Sequence, residues 1–148
     1  MSETKDFLQR VDLFSDLADE MLDKVAEICH PQSFPANATI VERNTPPESF
    51  FLIQEGTVNI FTAPGHEVQN PANAAVITLG KGQSFGEMSL IDQGSRSATV
   101  KTTTAAKLLV IDCRQFRALC DADSDLGYQV MRNIAADLSF KLRHRNLI

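Results

Sequence analysis

Residues 85–99 read Phe-Gly-Glu-Met-Ser-Leu-Ile-Asp-Gln-Gly-Ser-Arg-Ser-Ala-Thr, and three of them could together hold one small anion that also carries a hydroxyl group. Gly86 has no Cβ, so the backbone there can come close to a ligand. The stretch is expected to form a short helix opening on that glycine, then a loop, with Arg96 at the start of a strand. The N–H groups from Glu87 to Leu90 would face an anion. Arg96 brings forked donors that match phosphate. Glu87 would repel phosphate, so it is read as the acceptor for a hydroxyl. An acid for a hydroxyl and an arginine for a phosphate together describe a nucleotide with a free ribose OH.

The run Phe85, Gly86, Glu87, Leu90, Arg96, Ser97, Ala98 resembles, without a gap, the phosphate-binding cassette of cyclic nucleotide-binding domains. That family includes catabolite activator protein, the protein kinase A regulatory subunit and cyclic-nucleotide-gated channels. The resemblance extends from about Leu13 to the last helix. It implies a mainly β fold with flanking α: a β-barrel or jelly roll (double-stranded β-helix) with N-terminal and C-terminal helices. On that reading residues 1–148 are one cyclic nucleotide-binding domain, helical over 1–30, barrel over 31–112 and helical again over 113–148.

The resemblance also assigns roles. Arg96 pairs with the exocyclic oxygens of a cyclic phosphate, in contacts each worth about 1.5–3 kcal/mol net. Glu87 accepts from the ribose 2′-OH. Gly86 and the amides of Met88, Ser89 and Ala98 touch ribose and phosphate. Ser97 bonds a guanine edge or touches phosphate, so its hydroxyl leaves cAMP and cGMP both open, with cAMP favoured by analogy with bacterial activator proteins. Phe85 and Met88 fall within the expected ligand-binding run, but they and Leu90 are expected to serve the core before the ligand. Val76 and Leu79 are candidates for the base pocket. Leu138, Leu142 and Arg145 share a helix face and could form a lid over the base. The same helix supports a homodimer in some relatives. Taken alone, Arg96 would read as a turn arginine paired with Asp92, and Glu87 as a charge complementing a helix N-terminus.

Composition is that of an ordinary globular protein: 148 residues, 43% hydrophobic, net charge −5. That charge argues against a broad basic face for duplex DNA, so no direct DNA binding is expected. Met1 to Arg10 lacks the apolar core of a signal peptide, and no apolar run is long enough to span a membrane. A cytoplasmic location follows as the expectation. Cys29, Cys113 and Cys120 have no metal-ligand spacing and read as reduced packing residues.

Leu17–Cys29 has helical periodicity in Leu22, Val25, Ala26 and Cys29, with Pro31 as a stop signal. Phe7, Val11, Leu13 and Phe14 suggest a further short helix or turn. Strands are expected at Thr39–Val41, Ser49–Gln54, Thr57–Thr62, Ala75–Leu79, Ala98–Thr103 and Lys107–Ile111. Turns separate them at Asn44–Pro47, Glu55-Gly56 and Ala63–Gly65. His66 to Asn73 reads as a mobile polar insertion. Asn44 and Pro47 stand where the family usually has glycines, and Asn44 tolerates left-handed backbone. Arg114–Asp121 and Asp123–Arg145 are helical, with Ser124 as a cap. The second carries an apolar stripe of Val130, Met131, Ile134, Ala135, Leu138 and Leu142.

Three functional classes compete. The first is a cyclic-nucleotide sensor that moves its terminal helices to act on a partner protein or an effector domain. The second keeps the fold as a ligand-free protein-interaction module, against which Glu87 and Arg96 both speak. The third is an enzyme, disfavoured because His30, His66 and His144 fall at a helix end, in a loop and in the tail, with no partner set for catalysis or metal binding. No room follows the long helix for a helix-turn-helix unit, so a transcription factor is not expected. Replacing Arg96 by alanine should weaken nucleotide binding at least about tenfold through lost charge-assisted contacts, without unfolding the chain. Calorimetric titration alongside circular dichroism checks this, and unchanged affinity in a folded variant would remove the argument.

Overall fold

Short runs of β-branched and aromatic residues broken by turn residues favour pleated, half-buried strands over helix. The computed structural model, which describes residues 2–46, 48–62, 75–92, 94 and 98–144, has such strands through its middle and helices at both ends. The chain divides into two compact units: Cys29–Cys113, and Met1–Ile28 with Arg114–Ile148.

The first unit holds eight strands: β1 Cys29–Phe34, β2 Thr39–Val41, β3 Ser49–Glu55, β4 Val58–Thr62, β5 Ala75–Leu79, β6 Ser84–Phe85, β7 Ala98–Thr102 and β8 Ala106–Asp112. They form two four-stranded sheets in the orders β1-β8-β3-β6 and β2-β7-β4-β5. Every ladder is antiparallel. The inward positions of both sheets meet in one apolar cluster: Phe51, Ile53, Phe85, Ala106 and Leu108 from the first, Val41, Val58 and Val100 from the second. No ladder among the described residues closes the two sheets into a barrel; they are two sheets sharing a core.

The six expected strands are all present, with ends shifted by a residue or so. Two more were not anticipated. β1 contains Pro31, read above as a helix stop, and its burial does not alternate. It survives as an edge strand paired only with β8, where one face of the ladder needs no donor. It also ends the preceding helix early, so Cys29 belongs to the strand rather than to the helix, and His30 lies on a strand rather than at a helix end. β6 has two residues, too short for any periodicity to show. The His66–Asn73 insertion and Pro47 lie outside the described residues. Asn44 does take left-handed backbone, at φ +69°.

The helical unit contains α1 Ser2–Leu8, a 3-10 turn Asp12–Phe14, α2 Asp19–Glu27, α5 Ser124–His144 and most of α4 Cys113–Ala122. A short helix in the sheet unit, Ser89–Asp92, is α3. Phe14 and Phe116 sit 6.1 Å apart within a core that includes Leu8, Val25, Leu126 and Val130. Asn133 Nδ2 donates to the carbonyls of Leu13 and Ser15 at 2.9 and 2.8 Å, fastening the 3-10 turn to α5. The cap of α5 is Asp123, not Ser124: the Leu126 amide donates to Asp123 Oδ1 at 3.2 Å, and Ser124 is already helical. Lys24 adds a 2.9 Å ion pair to the same carboxylate and, as the largest cause, holds Asp123 below the usual carboxylate range.

Gly56, at φ +88°, closes the β3–β4 turn where a Cβ would stand 2.5 Å from the Ala105 carbonyl oxygen. Gly56→Ala should therefore lower stability by about 1–3 kcal/mol through backbone strain, read as a fall in the urea midpoint at unchanged slope.

Candidate functional site

The segment Phe85–Ala98 crosses between the sheets. It leaves the edge strand β6 of one and enters β7 of the other. Its start is fixed by packing: Phe85 pairs with Phe51 across the ladder, and their rings stack at 4.9 Å with 15° between planes. Phe85 is buried, as expected of a core residue, and so is Leu90. Directly after Phe85 the chain turns through Gly86 at φ +86°, a conformation that costs a residue with a Cβ.

The turn then closes on itself. The Ser89 amide donates to the Gly86 carbonyl at 3.3 Å and the Leu90 amide to the Glu87 carbonyl at 3.0 Å. Two of the four N–H groups assigned to an anion are thus engaged within the turn, because α3 begins at Ser89 and its entry uses them. The amides of Glu87 and Met88 make no such bond to a described residue. Ser89 is buried, and its Oγ donates to the Gly86 carbonyl at 2.5 Å. Met88 is 37% exposed, a correction to its assignment as a gap-filling core residue. It lies in the turn that precedes α3, ahead of buried Ser89 and Leu90.

Two buried side-chain oxygens have no hydrogen-bond partner among the described residues, Gln54 Oε1 on β3 and Glu87 Oε2 in this turn. Glu87 as a residue is half-buried, yet its Oε2 is withdrawn from water. A buried acceptor left unmet costs about 1–3 kcal/mol, so native chains rarely keep one without a reason.

Arg96 and Ser97 lie outside the described residues, as does Arg145. Asp92, the alternative partner for Arg96, accepts from the Gly94 amide at 3.0 Å. Ala98 is the first residue of β7, half-buried and opposite Thr62. Leu79 packs against the shared apolar cluster. On α5, Val130 and Ile134 of the expected stripe are buried, whereas Leu138 is half-buried and Leu142 is 41% exposed. Met131 is half-buried and Ala135 exposed, so burial of the stripe centres on Val130 and Ile134.

The three cysteines are free thiols. Burial pushes Cys29 up to about 12, and burial with the charges of Asp121 and Asp123 pushes Cys120 up to about 11. Cys113 is buried, and its Sγ is 3.5 Å from Ser89 Oγ, a contact across the fold that nothing in the local sequence signals. An open hollow of about 360 Å³ elsewhere on this unit is lined by Val41, Glu42, Glu48, Ser49 and Phe51 among others. Its two carboxylates suit it poorly to a phosphate. Among the described residues no cluster of His, Cys, Asp and Glu could hold a metal ion, and no helix is long and apolar enough to cross a membrane.

Two antiparallel sheets joined by a glycine-led turn, with helices before and after them in the chain, define a mainly β domain. The sequence model of the cyclic nucleotide-binding domain matches residues 31–123, and the chain belongs to that family. A cyclic nucleotide-gated potassium channel of Mesorhizobium japonicum is 31% identical over 127 residues, covering 86% of this chain and 32% of the channel. The cAMP-activated global transcriptional regulator of Haemophilus influenzae is 30% identical over 110 residues, 73% of this chain and 47% of that protein. The catabolite activator protein of Thermus thermophilus superposes with a TM-score of 0.75 at 28% identity, covering 92% of this chain and 60% of that one. The chain spans half or less of the length of these two curated relatives.

Because Glu87 Oε2 has no described partner, the carboxylate should add nothing to the stability of the unliganded fold. Glu87→Gln is expected to leave the urea midpoint unchanged or raise stability by up to about 1 kcal/mol. A loss of more than about 2 kcal/mol would mean that the carboxylate is a structural anchor.

Proposed function

We propose that this chain binds a cyclic nucleotide, cAMP before cGMP, in the turn that begins at Phe85, and acts as a sensor through movement of its terminal helices. The observation that carries the reading is the buried, unmet Glu87 Oε2 beside a left-handed glycine in a chain of this family. A ribose 2′-OH is a donor of the right kind to satisfy it. Gly86 lets the backbone approach the sugar phosphate, and the amides of Glu87 and Met88 are the donors that the turn keeps available. Arg96 takes the exocyclic phosphate oxygens, with Ser97 and the Ala98 amide beside it. Phe85 holds the turn by its stack on Phe51. Preference for cAMP is supported by the cAMP-activated regulator among the relatives and by a fold neighbour, the regulatory domain of Toxoplasma gondii protein kinase A, crystallised with cAMP at 23% identity and a TM-score of 0.71.

The strand orders β1-β8-β3-β6 and β2-β7-β4-β5 support reading the sheets as a jelly roll, a double-stranded β-helix. On this reading residues 1–148 work as one domain in the cytoplasm, with no catalytic step. Leu138, Leu142 and Arg145 close over the base, or the same open stretch of α5 meets a twin helix in a homodimer. The output passes to a partner protein or effector domain. A ligand can drive such a change only by binding one helix arrangement more tightly than another.

Calorimetric titration with cAMP, cGMP and 2′-deoxy-cAMP tests the proposal. The expected result is micromolar or tighter cAMP binding, weaker cGMP binding, and a loss of about tenfold to a hundredfold for the deoxy analogue, as befits a hydrogen bond to a charged acceptor. Folded protein that binds none of them would leave the ligand-free interaction module as the function.

A further inference from the structure

The buried side of the turn carries a chain of hydrogen bonds that nucleotide contact does not itself require. Ser89 Oγ lies 2.5 Å from the Gly86 carbonyl oxygen and 3.5 Å from Cys113 Sγ. Ser89 is 5% exposed and Cys113 1%. A carbonyl can only accept, so the single hydroxyl proton of Ser89 goes to Gly86. The contact with sulfur must then run the other way, with the thiol donating to Ser89 Oγ. The order is Cys113 S–H to Ser89 O–H to Gly86 C=O. It ends on the residue whose left-handed backbone presents Glu87.

The other end is anchored where the chain changes unit. Cys113 follows β8 directly and is the first residue of α4. Its amide donates to the Glu48 carbonyl at 3.0 Å. It is the last residue of the sheet unit, and Arg114 opens the remainder of α4 in the helical unit.

We infer that Ser89 and Cys113 are positioning residues for ligand binding, and that their relay links the occupancy of the Gly86–Glu87 turn to the start of α4. The inference rests on the nucleotide reading above and deepens it by naming how the site reports to the helices. A thiol is a weak donor, so this link is the one most easily made and broken as the turn tightens or relaxes. Loss of the thiol proton, or its replacement by an alkyl group, removes the donor and leaves Ser89 Oγ short of one partner. A ligand that favours the closed turn also favours the intact relay, and by linkage it suppresses the local opening that exposes the sulfur.

The test uses the purified full chain with N-ethylmaleimide as the thiol probe. Alkylation of each cysteine is followed by peptide mass spectrometry with and without cAMP, on a preparation whose cAMP binding is measured by calorimetry. The expected result is that cAMP slows alkylation of Cys113 about tenfold while Cys29 and Cys120 change by less than about twofold. Equal slowing of all three would report global stabilisation and overturn the inference, as would an unchanged Cys113 rate in protein that binds cAMP. A flat calorimetric trace with cAMP overturns the nucleotide reading and this inference with it, so the calorimeter tells the two failures apart. In parallel, Cys113→Ala and Ser89→Ala should each weaken cAMP binding about tenfold, and Cys113→Ser, which keeps a donor, should recover most of the affinity lost in Cys113→Ala. Wild-type affinity in Cys113→Ala would sink the idea. Should the alanine variants fail to fold, the alkylation contrast in the unmodified chain decides alone.

Discussion

A carboxylate oxygen removed from water without a hydrogen-bond donor is held uphill, and among the described residues none donates to Glu87 Oε2. Only a well-packed frame can enforce such a position. The frame is the stack of Phe85 on Phe51 and the apolar cluster behind it, to which both sheets contribute. Each of these buried aromatics and aliphatics stabilises the fold by about 1.5–3 kcal/mol. That is more than enough to offset one unmet acceptor. The unmet acceptor sits one residue beyond the glycine at which the core lets go.

Gly86 is the joint between those two regimes. Up to Phe85 the chain is a strand, tied by its ladder to β3. From Ser89 it is a helix of four residues, whose amides donate to the carbonyls of Gly86, Glu87 and Met88. The reversal between them needs positive φ, which only glycine adopts without cost. The same residue's carbonyl receives both the amide and the hydroxyl of Ser89. Backbone freedom and hydrogen-bond satisfaction thus meet at a single peptide, and the two amides that follow make no backbone bond among the described residues.

Legibility differed by element for physical reasons. The strands with alternating or continuous apolar runs, such as Ser49–Glu55 and Ala106–Asp112, announced themselves, because burial on one or both faces selects such residues. β1 did not: an edge strand need not be apolar and can carry a proline, so Cys29 looked like the end of a helix and Pro31 like its stop. Two-residue β6 is held by pairing and a ring stack rather than by propensity. At the start of α5, serine and aspartate are both good caps, and the geometry chose Asp123. Met88 read as core because methionine fills gaps, yet it stands in the turn before α3 and is exposed.

The cassette's residue types and order, Phe85-Gly86-Glu87 followed by Leu90, were enough to point to the family and to the glycine turn, because a left-handed joint and a core aromatic each restrict residue choice strongly at one position. Local pattern could not say which polar atoms would be left without partners. Whether Glu87 Oε2 is met, whether the Ser89 and Leu90 amides are spent within the turn, and which thiol stands against Ser89 depend on groups distant in sequence. Cys113 reaches Ser89 only because β8 and the β6–α3 turn converge after both have taken their places beside β3. Hydrogen-bond satisfaction is a property of the packed chain, and so the tertiary structure alone decided it.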